Sequence, residues 1–336
     1  MNNPVLVEVT RGGRVESRHR GALAVVDAEG RLVFSLGDIE TPVFPRSAIK
    51  ALQTLALIES GAADRFKLSE SEIALACSSH SGEPVHAETA AAMLHKAGRD
   101  TSALECGAHW PGNEEAARDL ARRGARPTAL HNNCSGKHAG FVCLACQLDA
   151  DPKGYVMPEH RVQKEIRAVI ENVAGDALRD DWRGTDGCSI PTYGASLQTW
   201  ARAFARFGTG RGLGAGRARA AARIRASAAR HPHMVGGTGR FDTDVMAALG
   251  LRAFTKTGAE GVFCAALPEQ GLGIALKCED GAKRAAQLMM AEALARFLPL
   301  NDPDHAALAP WRRKILTNWN GIDVGEIRAT APLALA

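Results

Sequence analysis

The chain has 336 residues, of which 46% are hydrophobic and 23% charged, and its formal net charge is +4. This composition is typical of a soluble globular protein, and its 41 basic and 37 acidic side chains are too evenly balanced for a nucleic-acid-binding surface. The first twenty residues lack an apolar signal segment, and no run of about 18 apolar residues predicts a membrane span. We therefore expect a cytoplasmic protein whose eight cysteines stay reduced.

The front of the chain predicts strands followed by a helix. Alternation over residues 5–10 predicts a first strand, and a hairpin is expected from residues 21–26 and 31–36. A helix opens at Pro45 and ends at Gly61. The short apolar run 73–76 is interpreted as the end of a strand that leads into a serine-rich loop.

The middle of the chain is mostly helical, and strands return near the end. Helical spacing occurs near residues 85–97, 113–123, 136–148, 160–174, 194–207 and 217–229. Residues 208–214 are glycine-rich and predict a flexible connection. Strands are then expected at 251–255, 261–267 and 272–277, followed by a helix at 285–297 and a last strand at 321–327.

Two short strings predict a reactive serine. Ser47 to Lys50 form an S-x-x-K motif and Lys256 to Gly258 form a K-T-G, a pair that builds the active site of penicilloyl serine transferases. Lys50 is a general base only if it is neutral, which requires burial or a neighbouring cation such as Lys256. Gly258 is expected to let a substrate carbonyl approach the strand closely. In the alternative interpretation, Ser47 caps the helix and Lys50 is a surface lysine.

Element order and motif position together predict an α+β fold. Residues of about 4–40 and 250–330 would form one antiparallel sheet from both chain ends, and about 45–249 would form an inserted helical part. This is the serine β-lactamase-like architecture. We expect a single domain over residues 1–336.

Three polar loops contain further candidate groups. Residues 77–84 read as a binding loop or as an ordinary turn with hydroxyl caps. In the other two loops, Cys134 and Cys188 could share a metal, with His138 as a third ligand four residues after Cys134. Gly136-Lys137 lacks the upstream glycine and the following hydroxyl of a phosphate-binding loop, so a nucleotide site is not expected.

Five strings resemble one known family. Arg46 to Lys50, Ser78 to Ser81, Asn133 to His138, Asp186 to Cys188, and Lys256 occur in the order seen in the rhizobial-type L-asparaginases. These enzymes are also called class 3 asparaginases or the asparaginase II family. The chain resembles them over roughly residues 8–328, and the resemblance implies the same serine β-lactamase-like fold.

The resemblance also implies functional residues. Two catalytic Ser–Lys pairs are expected, Ser47 with Lys50 and Ser79 with Lys256. One zinc ion per chain would be held by Cys134, Lys137 and Cys188 with a water as fourth ligand, and would aid substrate affinity more than bond cleavage. Asp186 would bind the α-amino group of L-asparagine, and the remaining substrate-binding residues would be Arg46, Asn133 and His138. A homodimer is implied as well.

The sequence therefore predicts an L-asparaginase that forms L-aspartate and ammonia through an acyl-enzyme. Ser47 would attack the side-chain amide while Lys50 takes its proton, and Ser79 with Lys256 would relay protons to the leaving ammonia. Two alternatives remain open at this stage. One is a β-lactamase or D-alanyl peptidase-type serine amidase, and the other is a non-enzymatic binding protein stabilised by zinc.

Overall fold

A computed structural model describes residues 3–334 of the protein. Within that range the strands are β1 Val5–Arg11, β2 Arg14–Asp27, β3 Leu32–Leu36, β4 Arg183–Thr185, β5 Pro191–Tyr193, β6 Phe254–Thr257, β7 Val262–Leu267, β8 Leu272–Cys278, β9 Lys314–Thr317 and β10 Asp323–Ala329. The helices are α1 Lys50–Glu59, α2 Ala62–Arg65, α3 Glu70–Ala76, α4 Pro84–Lys96, α5 Glu114–Arg122, α6 Ser135–Gln147, α7 Arg161–Ala174, α8 Leu197–Thr209, α9 Ala215–Arg230, α10 Pro232–Val235, α11 Phe241–Leu249, α12 Lys283–Phe297 and α13 Asp302–Arg312.

Both ends of the chain contribute to one antiparallel sheet. Its strand order is β6-β7-β8-β2-β1-β10-β9. The eighth strand, β3, pairs with β2 and lies outside this linear order. The long strand β2 pairs with β1 through its first half and with β8 through its second half. The predicted α+β arrangement is thus confirmed, with the helices α1–α11 inserted between the two chain ends.

The central strands of the sheet are covered on both faces. Residues 22–26 of β2 are all buried, and so is every residue of β7, as expected for strands with helices on both sides. Helix α8 packs on one face against β2, β7 and β8, and α12 packs on the other. This double covering gives a rigid frame on which the end of β6 is held.

The run 73–76 is not a strand, which corrects the sequence prediction. It is the second half of helix α3, which begins with a capping box. The Ser69 N–H donates to the Glu72 carboxylate at 2.6 Å, and the Glu72 N–H donates to the Ser69 hydroxyl at 3.3 Å. Four apolar residues are too few to distinguish a strand from a buried helix by periodicity, whereas the cap satisfies two otherwise unpaired donors.

Near the C-terminal end, the predicted strand 251–255 begins later than expected. Residues 250–252 form a short 3₁₀ turn and β6 starts at Phe254. The sequence analysis did not identify the helices α2, α10, α11 and α13 or the strands β4, β5 and β9. The six central helices that it predicted are all present. No helix within residues 3–334 combines the length and the apolar character needed to cross a membrane.

Candidate active site

A buried serine hydroxyl lies between two lysine amines. Ser79 Oγ is 3.0 Å from Lys50 Nζ and 3.0 Å from Lys256 Nζ. Lys50 is the first residue of α1, Ser79 follows the C-terminal end of α3, and Lys256 lies on β6. Both lysines are at most 1% exposed. The fold therefore brings together three groups that are separated by up to about two hundred residues and removes their amines from water.

The two amines differ in their hydrogen-bond partners. Lys50 Nζ also donates to the Ser78 carbonyl at 2.6 Å and to Cys134 Sγ at 3.0 Å, so its three donors all have acceptors. Lys256 Nζ donates to the Thr257 carbonyl at 2.7 Å. Burial, assisted by the positive charge of Lys50, lowers the pKa of Lys256 to about 8. The three acceptors around Lys50 Nζ fix its position, and the surroundings of Lys256 suit an amine that can lose its proton near neutral pH.

The Ser47 hydroxyl is placed differently from the predicted pairing. It makes no hydrogen bond with any residue in the range 3–334, and Lys50 is bonded to Ser79 instead. Ser47 is partly exposed and lies in the 3₁₀ turn 46–49 that leads into α1. The preceding Arg46 has a φ of +50°, a conformation that costs a non-glycine residue energy and is common at active sites.

Gly258 holds this turn against the end of β6. A Cβ at residue 258 would lie 2.9 Å from the Pro45 carbonyl oxygen and 3.2 Å from the Ala48 Cβ. The chain's own turn therefore approaches Gly258 closely. The approach of a substrate carbonyl at this glycine stays a prediction.

Two thiols and a third lysine form a second buried group. Cys134 immediately precedes α6, Lys137 lies in the first turn of that helix, and Cys188 lies in the loop between β4 and β5. Lys137 Nζ is 3.1 Å from Cys188 Sγ, and the three residues are at most 4% exposed. A hydrogen bond from the Cys188 thiol, together with the charges of Lys50 and Lys137, lowers the pKa of Cys134 well below its ordinary value.

This donor set fits a zinc ion. Zinc prefers sulfur and nitrogen ligands in a tetrahedral arrangement, and here two sulfurs and one amine nitrogen converge in a buried place. Burial opposes the charged form of Lys137, but the neighbouring Cys188 and Cys134 sulfurs and Asp186 outweigh it and raise its pKa. Lys137 would have to lose a proton to bind a metal.

His138 does not join the two thiols. Tyr155 Oη accepts from the Glu105 N–H at 2.9 Å and is 2.6 Å from His138 Nδ1. Nδ1 is thereby occupied, and Nε2 is buried and has no partner among the described residues. Lys137, rather than His138, is the side chain next to Cys188.

An ion pair lies beside the thiol group. Arg46 Nε donates to Asp186 Oδ1 at 2.8 Å, and the Asp186 side chain is 10% exposed. Burial would raise the pKa of Asp186, but the charges of Lys137 and Arg46 outweigh it and lower that pKa. An anion and a guanidinium held side by side can bind the two charged ends of an α-amino acid.

Asn133 lies next to the Cys134 thiol. Its side-chain oxygen is 3.3 Å from Cys134 Sγ, and its backbone N–H donates to His109 Nε2 at 2.9 Å. The structure thus brings nine of the eleven predicted site residues into hydrogen-bonded or ion-paired contact with each other. Within residues 3–334, the Ser47 hydroxyl has no such contact, and the His138 ring bonds only to Tyr155.

Asp242 was missed by the sequence analysis. It lies in the first turn of α11, it is 2% exposed, and its carboxylate is 3.8 Å from Lys256 Nζ. The available signal was an acidic residue in the first turn of the apolar segment 241–249. That segment was not recognised as a helix, so the acid was not singled out.

A separate cluster of possible metal ligands satisfies itself. His19 Nδ1 is 2.6 Å from an Asp280 oxygen, and the Cys278 thiol donates to the other oxygen at 3.0 Å. Arg284 Nε donates to His19 Nε2 at 3.2 Å, so the imidazole proton is on Nδ1 and faces the carboxylate. A cation bound through Nδ1 would displace that proton and face the Arg284 guanidinium.

A model of the family described as L-asparaginase II matches residues 7–329. The chain belongs to the L-asparaginase II family. Membership confirms the resemblance inferred from the five strings, and it places the protein among the asparaginase-type amidohydrolases. No curated protein sequence matches the chain.

Solved structures similar to this L-asparaginase II family member include two from other groups of enzymes. A β-lactamase from Mycobacterium bovis is 15% identical, with a TM-score of 0.43, over 87% of this chain and 94% of that one. A simvastatin synthase from Aspergillus terreus is 12% identical, with a TM-score of 0.37, over 87% of this chain and 90% of that one. The family assignment does not depend on these likenesses.

Proposed function

We propose that the protein is an L-asparaginase that hydrolyses L-asparagine to L-aspartate and ammonia through a serine ester. The observation that carries the proposal is the position of the Ser79 hydroxyl, which lies 3.0 Å from each of two buried lysine amines. These lysines are 29 and 177 residues away from Ser79 along the chain. Membership of the L-asparaginase II family supports an amide substrate. The chemistry below is argued from these contacts.

The substrate would bind through its charged ends. Asp186, held as an anion by its neighbours, accepts the α-ammonium group, and Arg46 donates to the α-carboxylate. Asn133 and His138 are the further substrate-binding residues, and the unpartnered Nε2 of His138 is available for a hydrogen bond with the substrate. Binding of both ends directs the side-chain amide of asparagine away from this pair and toward the serines.

Ser47 is the attacking group in this proposal. It is partly exposed, whereas Ser79 is 6% exposed, and the strained Arg46 precedes it directly. Ser47 Oγ forms a bond to the amide carbon, and its proton passes through Ser79 Oγ to the uncharged Lys256 Nζ. The same proton returns to the amide nitrogen, the C–N bond breaks, and ammonia leaves.

Water completes the cycle by the reverse proton path. It adds to the ester carbon while Ser79 and Lys256 take its proton, and the C–O bond to Ser47 breaks as that proton returns to Ser47. Lys50 takes no proton in this cycle, because its Nζ is already engaged with the Ser78 carbonyl, the Ser79 hydroxyl and Cys134 Sγ. In this proposal Lys50 therefore has an electrostatic role, which differs from the general-base role predicted from the sequence.

Zinc is proposed as the resident metal, held by Cys134, Lys137 and Cys188 with a water. When bound, it would supply a fixed positive charge that strengthens binding of the substrate near Asp186. The proton transfers above use only side chains of the chain itself. A homodimer is proposed from the family resemblance, and a cytoplasmic location from the eight free cysteines, which suit a reducing compartment.

One assay tests the function. Purified protein is given L-asparagine, L-glutamine or the β-lactam nitrocefin, and ammonia release or ring opening is measured. We expect turnover of asparagine, glutamine turnover weaker by about 10–200-fold because of one extra methylene, and no ring opening. Nitrocefin turnover without ammonia release would favour a β-lactamase, and no turnover of any of the three would favour a binding protein.

A further inference from the structure

Asp242 joins helix α11 to the strand that carries Lys256. Its carboxylate accepts the Thr257 N–H at 3.0 and 3.2 Å through its two oxygens, and the Thr255 hydroxyl donates to it at 3.1 Å. These donors are the residues on either side of Lys256. A carboxylate that is 2% exposed and holds both neighbours restricts where the intervening lysine can lie.

The same carboxylate faces the Lys256 amine. Asp242 Oδ2 is 3.8 Å from Lys256 Nζ, and both side chains are at most 2% exposed. Two opposite charges at this distance in a buried place interact far more strongly than on a surface. The mechanism proposed above uses Ser79 and Lys256 and assigns no part to Asp242.

We propose that Asp242 is a positioning residue, which fixes the Lys256 amine beside Ser79 and controls the pH at which that amine gives up its proton. The inference rests on the proposed function, in which uncharged Lys256 receives the proton. The other charged or titratable groups that face Lys256 are Lys50 from α1, Arg240 from the segment before α11, Cys77 after α3 and Cys264 on β7.

The sign of the effect follows from these neighbours. Burial and the cations Lys50 and Arg240 lower the pKa of Lys256, and Asp242 opposes them. Removing the negative charge of Asp242 leaves the cations unopposed. The amine then loses its proton at a lower pH.

The test compares three variants by the pH profile of kcat/KM for L-asparagine. In Asp242→Asn the acid limb of the profile should move to lower pH by about one unit or more. Asp242→Glu keeps the charge and should restore the limb toward its wild-type position. Asp244→Asn is the matched control, since Asp244 lies in the same turn of α11 without a contact to Lys256, and its profile should not move.

A second measurement covers the case in which Asp242→Asn folds but is too unstable for steady-state kinetics. Without its partner, the Lys256 ammonium is an unpaired buried charge, and Lys256→Met removes that charge. The double variant should then melt within a few degrees of Lys256→Met alone, whereas Asp242→Asn by itself should melt well below the wild type. Equal losses of melting temperature in both backgrounds would show a structural role only and would overturn the proposal.

The outcomes separate this inference from the proposed function. If the wild type releases no ammonia from asparagine, the function fails, while the melting comparison still tests the charge pair. If the wild type is active and folded Asp242→Asn keeps the acid limb in place, the inference alone is wrong.

Discussion

At the scale of single residues, the reactive groups are polar side chains that the fold has taken out of water. Desolvation destabilises the charged form of an amine, and this is why the pKa of Lys256 falls to about 8. Lys50 is equally buried, but a carbonyl, a hydroxyl and a sulfur accept its three protons. Two lysines of similar burial can therefore have different roles in the proposed reaction, Lys256 as the proton acceptor and Lys50 as an electrostatic group.

Alanine variants distinguish the two serines. Ser47→Ala should lower kcat by about 10⁴-fold or more and should form no covalent intermediate, because the attacking oxygen is absent. Ser79→Ala should lose activity as well but should still form the ester slowly. Mass spectrometry of quenched reactions measures the adduct, and an adduct retained in Ser47→Ala would assign the attack to another residue.

The pH profile of the wild type reports on Lys256. Below its pKa of about 8 the amine is protonated and cannot take the proton passed on by Ser79, so kcat/KM should fall about tenfold per pH unit. Above that pH the amine is uncharged and the profile should level off. Steady-state rates from pH 5 to 10 measure this, and a limb centred near pH 6 would argue against Lys256 as the base.

At the scale of elements, the site is assembled where helices begin and end. The end of α3 presents Ser79, and the start of α6 presents Cys134 and Lys137. These two helix ends touch, because a Cβ at Gly136 would lie 2.5 Å from the Leu75 carbonyl oxygen. Cys134 consequently lies within 3.0 Å of Lys50, so the thiol group and the serine–lysine group form one site.

Gly136→Ala tests this contact between helices. The new methyl group meets backbone at 2.5 Å and cannot be relieved by a side-chain rotation, so we expect a loss of about 1–3 kcal/mol of unfolding free energy and weaker zinc binding. Gly140→Ala is the control in the same helix, where the nearest atom is a Leu57 methyl group at 3.3 Å. Urea unfolding and zinc titration of both variants measure the difference, and equal losses would contradict the prediction.

At the scale of the whole molecule, the sheet built from both chain ends holds the inserted helices in one arrangement. The site combines the turn 46–49, the loop after α3, the start of α6, the β4–β5 loop and β6. A metal bound by Cys134, Lys137 and Cys188 would connect α6 to the β4–β5 loop. Such a link between distant segments stabilises the folded state.

Zinc should therefore bind at about one equivalent per chain and raise the melting temperature. Cys188→Ser should abolish the rise, because one of two sulfur ligands is lost. Cys146→Ser is the control, since that thiol is partly exposed on α6 and lies against the Ala97 carbonyl. Metal analysis and thermal unfolding measure both variants, and zinc held equally well by Cys188→Ser would remove the metal proposal.

Much of the fold was accessible from local patterns. The six central helices follow from apolar spacing, and the order of strands at both ends indicates a sheet closed by the two termini. The run 73–76 was misread because a buried helix and a buried strand look alike over four residues. Asp242 was missed because no local pattern shows which strand a helical carboxylate will face.

The amino-acid sequence by itself determined the chemical groups of this protein, the family to which it belongs and the helical or extended character of most segments. These properties depend on residue type and on spacing within a few turns of chain. Only the tertiary structure decided that Lys50 contacts Ser79 rather than Ser47 and that Asp242 faces Lys256. Such pairings depend on burial and on distances between segments far apart in the chain, which residue spacing does not contain.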